Sequence, residues 1–152
     1  MRGEKLKVVA PEAPDPDGYV LDEQVGFLMR VAMQRHTAIF TSRMVDGLTQ
    51  TQFAALAKLC EVGPCSQNHL GRLICLDAAT IKGVVDRLGS RGFVTALADP
   101  KDRRRRAVAL TERGREVTEA AIKVAAEITA ATLLPLTAEE QRQVTKLLKK
   151  LG

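Results

Sequence analysis

The sequence is poor in aromatic residues: its 152 residues include one Tyr, four Phe and no Trp. Because 45% of the residues are nevertheless hydrophobic, the core must be built mainly from aliphatic side chains. Such a core suits packed helices better than a β-sandwich, in which aromatic and β-branched residues are enriched. The length is that of one ordinary domain, which can bury a sizeable core.

Cysteine and histidine are also scarce, which argues against several kinds of site. The three cysteines, Cys60, Cys65 and Cys75, are odd in number and match no zinc spacing. We interpret them as reduced thiols of a cytoplasmic protein that act as small buried hydrophobic residues rather than as redox sensors. With only His36 and His69, no phosphate-cradling glycine-rich loop and no nucleophile beside a base, the sequence predicts no enzyme, no cofactor and no metal site.

Long apolar runs are absent too. No uninterrupted apolar segment is long enough to span a bilayer, and the N-terminus lacks the apolar segment of a signal peptide. The net charge of +5 and the pI of about 9.4 favour an acidic partner, nucleic acid first and an anionic membrane second. Membrane contact needs a basic amphipathic helix with bulky apolar anchors, whereas the densest basic run here lies in a turn, so no membrane partner is expected.

The spacing of apolar residues divides the chain into an arm, helices at both ends and a basic centre. Residues 1–18 are rich in Pro and Asp, lack periodicity and are predicted to form a flexible arm. A long helix is predicted from about Val20 to Gly47, and its apolar face is wide enough to suggest contact with a partner as well as the core. Two more amphipathic helices are predicted, one capped by Thr111 and one by Thr137.

Two short helices in the centre predict a helix-turn-helix, preceded by a helix with a capping box at Thr49 and Gln52. Ser66 can cap QNHLGRLICL, and Asp77 can cap AATIKGVVDRLGSRG almost immediately afterwards. The last of these helices has an apolar face and an opposite face of small, hydrogen-bonding and basic residues, as a helix in the DNA major groove requires. A plain helical hairpin with a solvated face explains this segment about equally well.

A β-hairpin is predicted directly after these helices. FVTALA (93–98) and RRAVAL (105–110) would be its strands, and the turn between them leads into four consecutive arginines. A solvated charge run is the usual interpretation of a basic loop, but the position beside a candidate recognition helix favours a wing that contacts DNA. If the arginines alternate along a strand edge, neighbours point to opposite sides, and Asp99 and Asp102 further ease their repulsion.

Three segments resemble the MarR (multiple antibiotic resistance regulator) family of bacterial transcription factors. They are LTQTQFAALAKL (48–59), DAATIKGVVDRLGSRGFV (77–94) and DPKDRRRRAVALTERG (99–114), of which the last is the most specific. The resemblance covers roughly residues 20–150 and implies a mainly α fold with a small β-hairpin wing. A winged helix-turn-helix DNA-binding domain at 48–111 would then be flanked by long dimerisation helices at 19–47 and 112–152.

The resemblance also implies a function. Such a protein is a homodimer that binds double-stranded DNA at a palindromic operator, typically as a repressor. It releases the operator when a small organic effector binds. The resemblance implies an aromatic acid or an aromatic coenzyme A thioester as the effector. A small organic effector is expected because peroxide-sensing family members use a cysteine in the first helix, whereas none precedes Cys60 here, and zinc-sensing members use several histidines, of which this chain has two. The alternative is a constitutive or architectural DNA-binding protein without an effector.

The residues expected to contact DNA lie in three places. The start of the first short helix would bind a phosphate, and the second short helix would approach bases or phosphates. In the wing, the resemblance implies an aspartate in a salt bridge that orients the hairpin and an arginine at or near the minor groove, while the other arginines would meet phosphates. These residues are Ser66, Gln67 and Asn68, then Thr80, Lys82 and Arg87, and then Asp102 (the salt bridge), Arg104 (the minor groove), Arg103, Arg105 and Arg106. Gly83 would permit close approach, although a glycine inside a helix costs roughly 1 kcal/mol relative to Ala.

The effector site is placed by analogy between the first long helix, the second helix and the start of the fifth. Its candidate residues are Met33, His36, Thr37, Phe40 and Arg43. Each has a competing interpretation: core or dimer packing for Met33 and Phe40, a satisfied core histidine for His36, and a surface salt bridge for Arg43.

Overall fold

The computed structural model describes residues 9–10, 18–99 and 101–152. The predicted arm at 1–18 therefore lies largely outside the described residues, as does Pro100 of the predicted wing turn. The elements in chain order are α1 (Val25–Arg43), α2 (Gln50–Val62), α3 (Gln67–Leu73), α4 (Ala78–Ser90), β1 (Val94–Ala98), β2 (Arg106–Leu110), α5 (Glu112–Leu133) and α6 (Ala138–Leu151). The strands pair antiparallel, from Val94 opposite Leu110 to Ala98 opposite Arg106. The predicted fold class, mainly α with a β-hairpin wing, is confirmed.

The first long helix is shorter than the sequence predicts at both ends. Leu21–Glu23 form a separate 3-10 helix before α1 begins at Val25. At the other end, Met44 has extended backbone angles (φ −64°, ψ 136°) and ends α1, and Asp46 and Gly47 follow with φ values of +53° and +58°. Two consecutive residues in the left-handed region cannot continue a right-handed helix, so the chain turns here before α2.

The chain divides into two units, residues 1–33 and 34–152. In the first unit the apolar side chains of α1 are exposed, among them Val25, Leu28, Met29 and Met33. The second unit contains the hydrophobic core, which is aliphatic apart from Phe40 and Phe93. Its most deeply buried side chains include Leu56 of α2, Leu70 of α3, Ile81 and Leu88 of α4, and Ile128 of α5.

The predicted N-terminal caps are confirmed at all five helices for which they were expected. Thr49 and Thr137 form capping boxes with Gln52 and Glu140, while Ser66, Asp77 and Thr111 accept hydrogen bonds from the backbone N–H three residues later. Each cap satisfies an N–H that helix geometry leaves unpaired, which contributes about 1 kcal/mol in typical proteins.

The turn between α3 and α4 corrects two details of the prediction. Helix α3 ends at Leu73, three residues before the end of the predicted helical segment QNHLGRLICL. Cys75 follows with φ +58° and is also exposed, so it is not the small buried residue that was expected. Cys60 and Cys65 are half-buried, and burial, assisted by the nearby charge of Asp99, raises the pKa of the Cys65 thiol.

The hairpin is fastened to the helices at both of its ends. Backbone hydrogen bonds in both directions join Cys65, just before α3, to Val108 in β2. At the other end, the Thr111 hydroxyl donates to the Gly92 carbonyl at 2.6 Å, and the Thr111 N–H donates to the Phe93 carbonyl at 3.0 Å. These bonds fix the wing relative to the helix-turn-helix.

Gly114 explains the Thr-x-x-Gly pattern that follows β2. A Cβ at this position would lie 1.8 Å from the Phe93 carbonyl oxygen, a separation that no side chain can accept. Glycine therefore lets the first turn of α5 pack directly on the backbone that leads into β1.

Candidate DNA interface and ligand cavities

At the start of α4, the capping residue Asp77 also hydrogen-bonds the side chain of Thr80, one of the residues predicted to contact DNA. Asp77 Oδ1 accepts a hydrogen bond from the Thr80 N–H, and Oδ2 accepts one from the Thr80 hydroxyl, both at 2.8 Å. These bonds from the Thr80 backbone and side chain hold the pKa of the Asp77 carboxyl below its usual range. Because the hydroxyl proton of Thr80 is engaged, its oxygen is left to act towards other groups as an acceptor.

Lys82 is paired on the helix surface with a residue that sequence reasoning did not single out as its partner. Its ammonium lies 2.6 Å from Asp86 Oδ2, one turn further along α4. The i,i+4 spacing of opposite charges was the available signal. Both side chains are well exposed, so this pair contributes little to stability and can exchange partners.

Arg87 lies over Gly83. A Cβ at Gly83 would be 3.3 Å from the nearer guanidinium nitrogen of Arg87 and would otherwise meet open space. Among the described residues, Arg87 forms no salt bridge. The exposed side of α4 therefore carries an arginine whose charge is not compensated.

The three predicted residues at the start of α3 are Ser66, Gln67 and Asn68. The Ser66 oxygen accepts from the His69 N–H at 3.2 Å, and its own hydroxyl proton is not engaged within the described part of the chain. Asn68 is exposed, while Ser66 and Gln67 are half-buried.

The wing turn is held by two aspartates. Asp99 accepts from the Lys101 N–H at 2.8 Å, and Asp102 accepts from the Arg104 N–H at 3.0 Å. Backbone bonds from Asp99 to Arg105 and from Arg105 to Asp102 close the turn. The turn is therefore organised by its own carboxylates and backbone.

The salt bridge expected of Asp102 is present, and its partner is Arg105, at 3.6 Å. Residues 103–105 lie in the turn and only Arg106 lies in β2, so the prediction that the arginines alternate along a strand edge is wrong for the first three. All of residues 101–106 are exposed. Within the described residues, Arg103, Arg104 and Arg106 have no carboxylate partner.

The fold brings α4 and the wing together. Val85, Asp86 and Gly89 of α4 line a cavity of about 230 Å³ with residues 94–96 and Val108 of the hairpin. The helix that carries Lys82 and Arg87 is thus adjacent to the hairpin that carries the arginines.

Two cavities lie beside the C-terminal half of α1. The first, of about 380 Å³, is rich in hydroxyl groups and is lined by Thr37, Phe40, Thr41, Met44, Gly47, Leu48, Thr49, Gln50 and Thr51. The second, of about 270 Å³, is more aromatic and is lined by His36, Phe40, Gln50, Phe53, Ala125, Ile128 and Thr129. Phe40 and Gln50 line both cavities.

Three of the five predicted effector residues, His36, Thr37 and Phe40, line these cavities. Met33 and Arg43 line neither of the two. Met33 precedes Phe40 by seven residues, which is about 10 Å along a helix, and Arg43 is the exposed last residue of α1. The prediction that the start of α5 contributes is also wrong for these cavities, because their α5 residues lie in its second half.

His36 is partly buried and satisfied. Its Nδ1 lies 2.9 Å from the Thr132 hydroxyl of α5, and its ring lies 6.2 Å from the Phe40 ring. Phe40 in turn lies 6.2 Å from Phe53. Sequence reasoning missed Phe53 and Gln50 as cavity residues, since Phe53 has the spacing of an ordinary core residue and Gln50 follows a cap.

The described ranges contain no grouping of side chains suited to a metal ion and no single helix suited to crossing a membrane. No three His, Cys, Asp or Glu side chains there are grouped so that they could hold a metal ion. No single helix there is long and apolar enough to cross a membrane, and α5 and α6, which meet at a bend of 108°, pass that test only as a bent pair.

Comparison with known proteins identifies the family. The MarR family model matches residues 48–105, which extend from just before α2 to the arginines of the wing. The HTH-type transcriptional repressor NicR of Pseudomonas putida is 42% identical over 147 residues, which cover 95% of this chain and 93% of NicR. The chain belongs to the MarR family.

Solved structures of MarR-family regulators share the fold over most of the chain. A probable transcriptional regulator from Pseudomonas aeruginosa superposes with a TM-score of 0.84 at 50% identity, over 88% of this chain and 100% of that one. Bordetella bronchiseptica BpsR, whose DNA binding is regulated by 6-hydroxynicotinic acid, gives 0.81 at 39% identity, over 88% and 96%. In this MarR-family regulator, α3, α4 and the β1–β2 hairpin form the winged helix-turn-helix.

Proposed function

We propose that this MarR-family chain is a cytoplasmic, homodimeric repressor that binds a palindromic operator and is released by a small aromatic acid. One observation carries the DNA-binding part of this proposal. Helix α4, on which Arg87 forms no salt bridge among the described residues, lies next to a wing with exposed arginines. The 48–111 segment is the DNA-binding domain in this proposal, and 19–47 and 112–152 form the dimerisation region.

The wing supplies charge to the phosphate backbone. Residues 101–106 include five basic side chains, all exposed, and one carboxylate. Each phosphate that a cation neutralises releases condensed counterions, so this wing makes affinity steeply dependent on salt. By analogy with the family, Arg104, whose backbone N–H is held by Asp102, lies at or near the minor groove, while Arg103 and Arg106 contact phosphates.

Helix α4 supplies sequence selectivity. Arg87 and Lys82 can reach base edges or phosphates, and Thr80 offers an acceptor oxygen. To contact DNA, Lys82 breaks its ion pair with Asp86, and the free-energy cost is small because the pair is exposed. The start of α3, with Ser66, Gln67 and Asn68, positions the domain on one phosphate.

A homodimer follows from the apolar surface that a single chain leaves uncovered. In α6, Leu147, Leu148 and Leu151 are 53–70% exposed, and none of its residues is buried. Separately, the first half of α1 exposes the four apolar side chains described above. Large apolar patches of this kind mark interfaces, and a two-fold dimer of winged domains matches a palindromic site.

The effector part is supported by the two cavities and by BpsR. The aromatic lining of the second cavity suits a planar ring, and a relative of 39% identity responds to 6-hydroxynicotinic acid. We expect a small aromatic acid to occupy this region. The bulkier aromatic coenzyme A thioesters are the second class of effector to be screened.

The test begins with selection of the DNA sequence that the purified protein binds. Operator affinity is then measured with and without aromatic acids, starting with 6-hydroxynicotinic acid, and with aromatic thioesters. Release by one of these compounds supports the proposal. Sequence-specific binding that no compound changes would favour the constitutive alternative, and binding without any sequence preference would favour the architectural one.

A further inference from the structure

Gln50 occupies a distinctive position in the cavity region. It is the first residue of α2, and together with Phe40 it lines both the hydroxyl-rich cavity and the aromatic cavity. Phe40 contributes an aromatic ring to the lining of both cavities. Gln50 therefore provides the amide group that a ligand in either cavity would meet.

The hydrogen bonds of Gln50 leave part of its amide unused. Its Nε2 donates to the Thr37 hydroxyl of α1 at 3.0 Å. A primary amide has two N–H donors and one carbonyl acceptor, and no other hydrogen bond to the Gln50 side chain exists within the described residues. One donor and one acceptor thus remain, and the bond to Thr37 restricts the orientation of the amide. Exchanging the amide oxygen and nitrogen gives the same result, because the Thr37 hydroxyl can donate as well as accept.

Among the described residues, no Lys, Arg, Asp or Glu lines either cavity. The hydroxyl groups of Thr37, Thr41 and Thr51 can solvate a carboxylate, but they accept and donate without strong geometric preference. His36 also lines the aromatic cavity, but its Nδ1 is engaged by the Thr132 hydroxyl, which leaves a single ring nitrogen. Gln50 is the lining side chain that presents a donor and an acceptor on two separate atoms of one plane.

We infer that Gln50 is a specificity-determining residue for the effector and selects rings that carry an N–H donor beside a C=O acceptor, as in a pyridone lactam. The amide and the lactam are complementary, since each offers one donor to the other's acceptor. Thr37 is a positioning residue that restricts the orientation of the amide. This inference rests on the proposed effector response and names the chemical class that the same site takes.

The test compares two probes of nearly the same outline. 6-Hydroxynicotinic acid in its lactam form presents N–H beside C=O, whereas 4-hydroxybenzoic acid has a C–H at the ring position and a phenolic hydroxyl. Both probes carry a carboxylate, so the contribution of that group cancels in the ratio of the two dissociation constants. Dissociation constants are measured by calorimetry for the wild type, Gln50→Ala, Gln50→Glu and the control Gln143→Ala, an exposed glutamine whose side chain, within the described residues, hydrogen-bonds to Glu139 of its own helix.

The wild type and Gln143→Ala should prefer the lactam by about tenfold or more, as expected for a directed hydrogen-bond pair. Gln50→Ala should bring the preference to within about twofold. Gln50→Glu keeps a good residue for the first turn of a helix and therefore the fold, but it lacks the donor and should also lose the preference. Thr37→Val should lower it, and Thr37→Ser should restore it.

Two outcomes overturn the inference in distinguishable ways. If the wild type binds both probes equally, or if Gln50→Ala and Gln50→Glu keep the wild-type preference, Gln50 does not read the ring edge, although the proposed response to aromatic acids stands. If the wild type binds neither probe, the lactam assignment fails, whereas release of the operator by another aromatic acid or by a thioester would still support the proposed effector response.

Discussion

Replacing Gly114 with Ala perturbs the contact that joins α5 to the backbone before the wing. The alanine Cβ would lie 1.8 Å from the Phe93 carbonyl oxygen, whereas a carbon and a non-bonded oxygen approach to about 3.3 Å. The two elements must separate by about 1.5 Å, which is enough to break the 3.0 Å hydrogen bond from the Thr111 N–H to the same oxygen. Phe93 is 1% exposed, so its backbone has little room to move.

The expected loss of stability combines two effects. Overpacking of a tight site costs about 1–3 kcal/mol, and loss of one hydrogen bond costs about 1 kcal/mol more. A total of about 2–4 kcal/mol is a large part of the stability of a typical domain. At roughly 2–4 °C per kcal/mol for a chain of this size, thermal unfolding followed by circular dichroism should show a fall in Tm of about 5–15 °C.

Gly89→Ala is the matched control. Gly89 lies in α4, and a Cβ there would meet nothing within 4 Å. Ala is favoured over Gly in a helix by up to about 1 kcal/mol, so Tm should stay unchanged or rise slightly. If Gly114→Ala melted within a degree of the wild type, the close backbone approach of α5 would be refuted.

Three further predictions concern the interface, the caps and the assembly. Arg104→Ala should weaken operator binding by about 1–3 kcal/mol, whereas Arg106→Ala should mainly lower the salt slope by about one unit; unchanged affinity at matched salt would exclude the Arg104 contact. Because folding lowers the pKa of Asp77, its carboxylate stabilises the fold above the ordinary Asp pKa and loses this effect as the pH falls through the lowered value. The stability advantage of the wild type over Asp77→Ala, measured by urea unfolding, should therefore shrink in acid, and a pH-independent difference would contradict this. Leu148→Glu should shift the mass in sedimentation equilibrium from dimer towards monomer, and a dimer as tight as the wild type would place the interface elsewhere.

Local rules predicted the elements well because their signals lie within a few residues. The caps at Thr49, Ser66, Asp77, Thr111 and Thr137 depend on one side chain and the N–H three residues away, so spacing alone reveals them. The same is true of the hairpin, whose strands are bounded by turn residues. The end of α1 was misplaced because the apolar spacing continues through Met44, which is buried but has an extended backbone.

The candidate site was predicted less completely because it depends on which distant residues meet. His36, Thr37 and Phe40 were found from their position on one helix face. Gln50 and the α5 residues were not, because their place on the cavity wall follows from the packing of α1, α2 and α5. The pairing of Asp102 with Arg105, rather than with another of four adjacent arginines, likewise depends on the geometry of the turn.

Control of operator binding by charge and by an effector is tested by measuring the affinity of the wild-type protein for its selected operator across a range of salt concentrations, with and without 6-hydroxynicotinic acid. We expect log Kobs to fall linearly and steeply with log salt, since the wing and α4 neutralise several phosphates. We also expect the acid to lower the affinity at every salt concentration. A slope near zero would contradict the proposed interface, and affinity that neither this acid nor any other aromatic acid or thioester changes would contradict control by an effector.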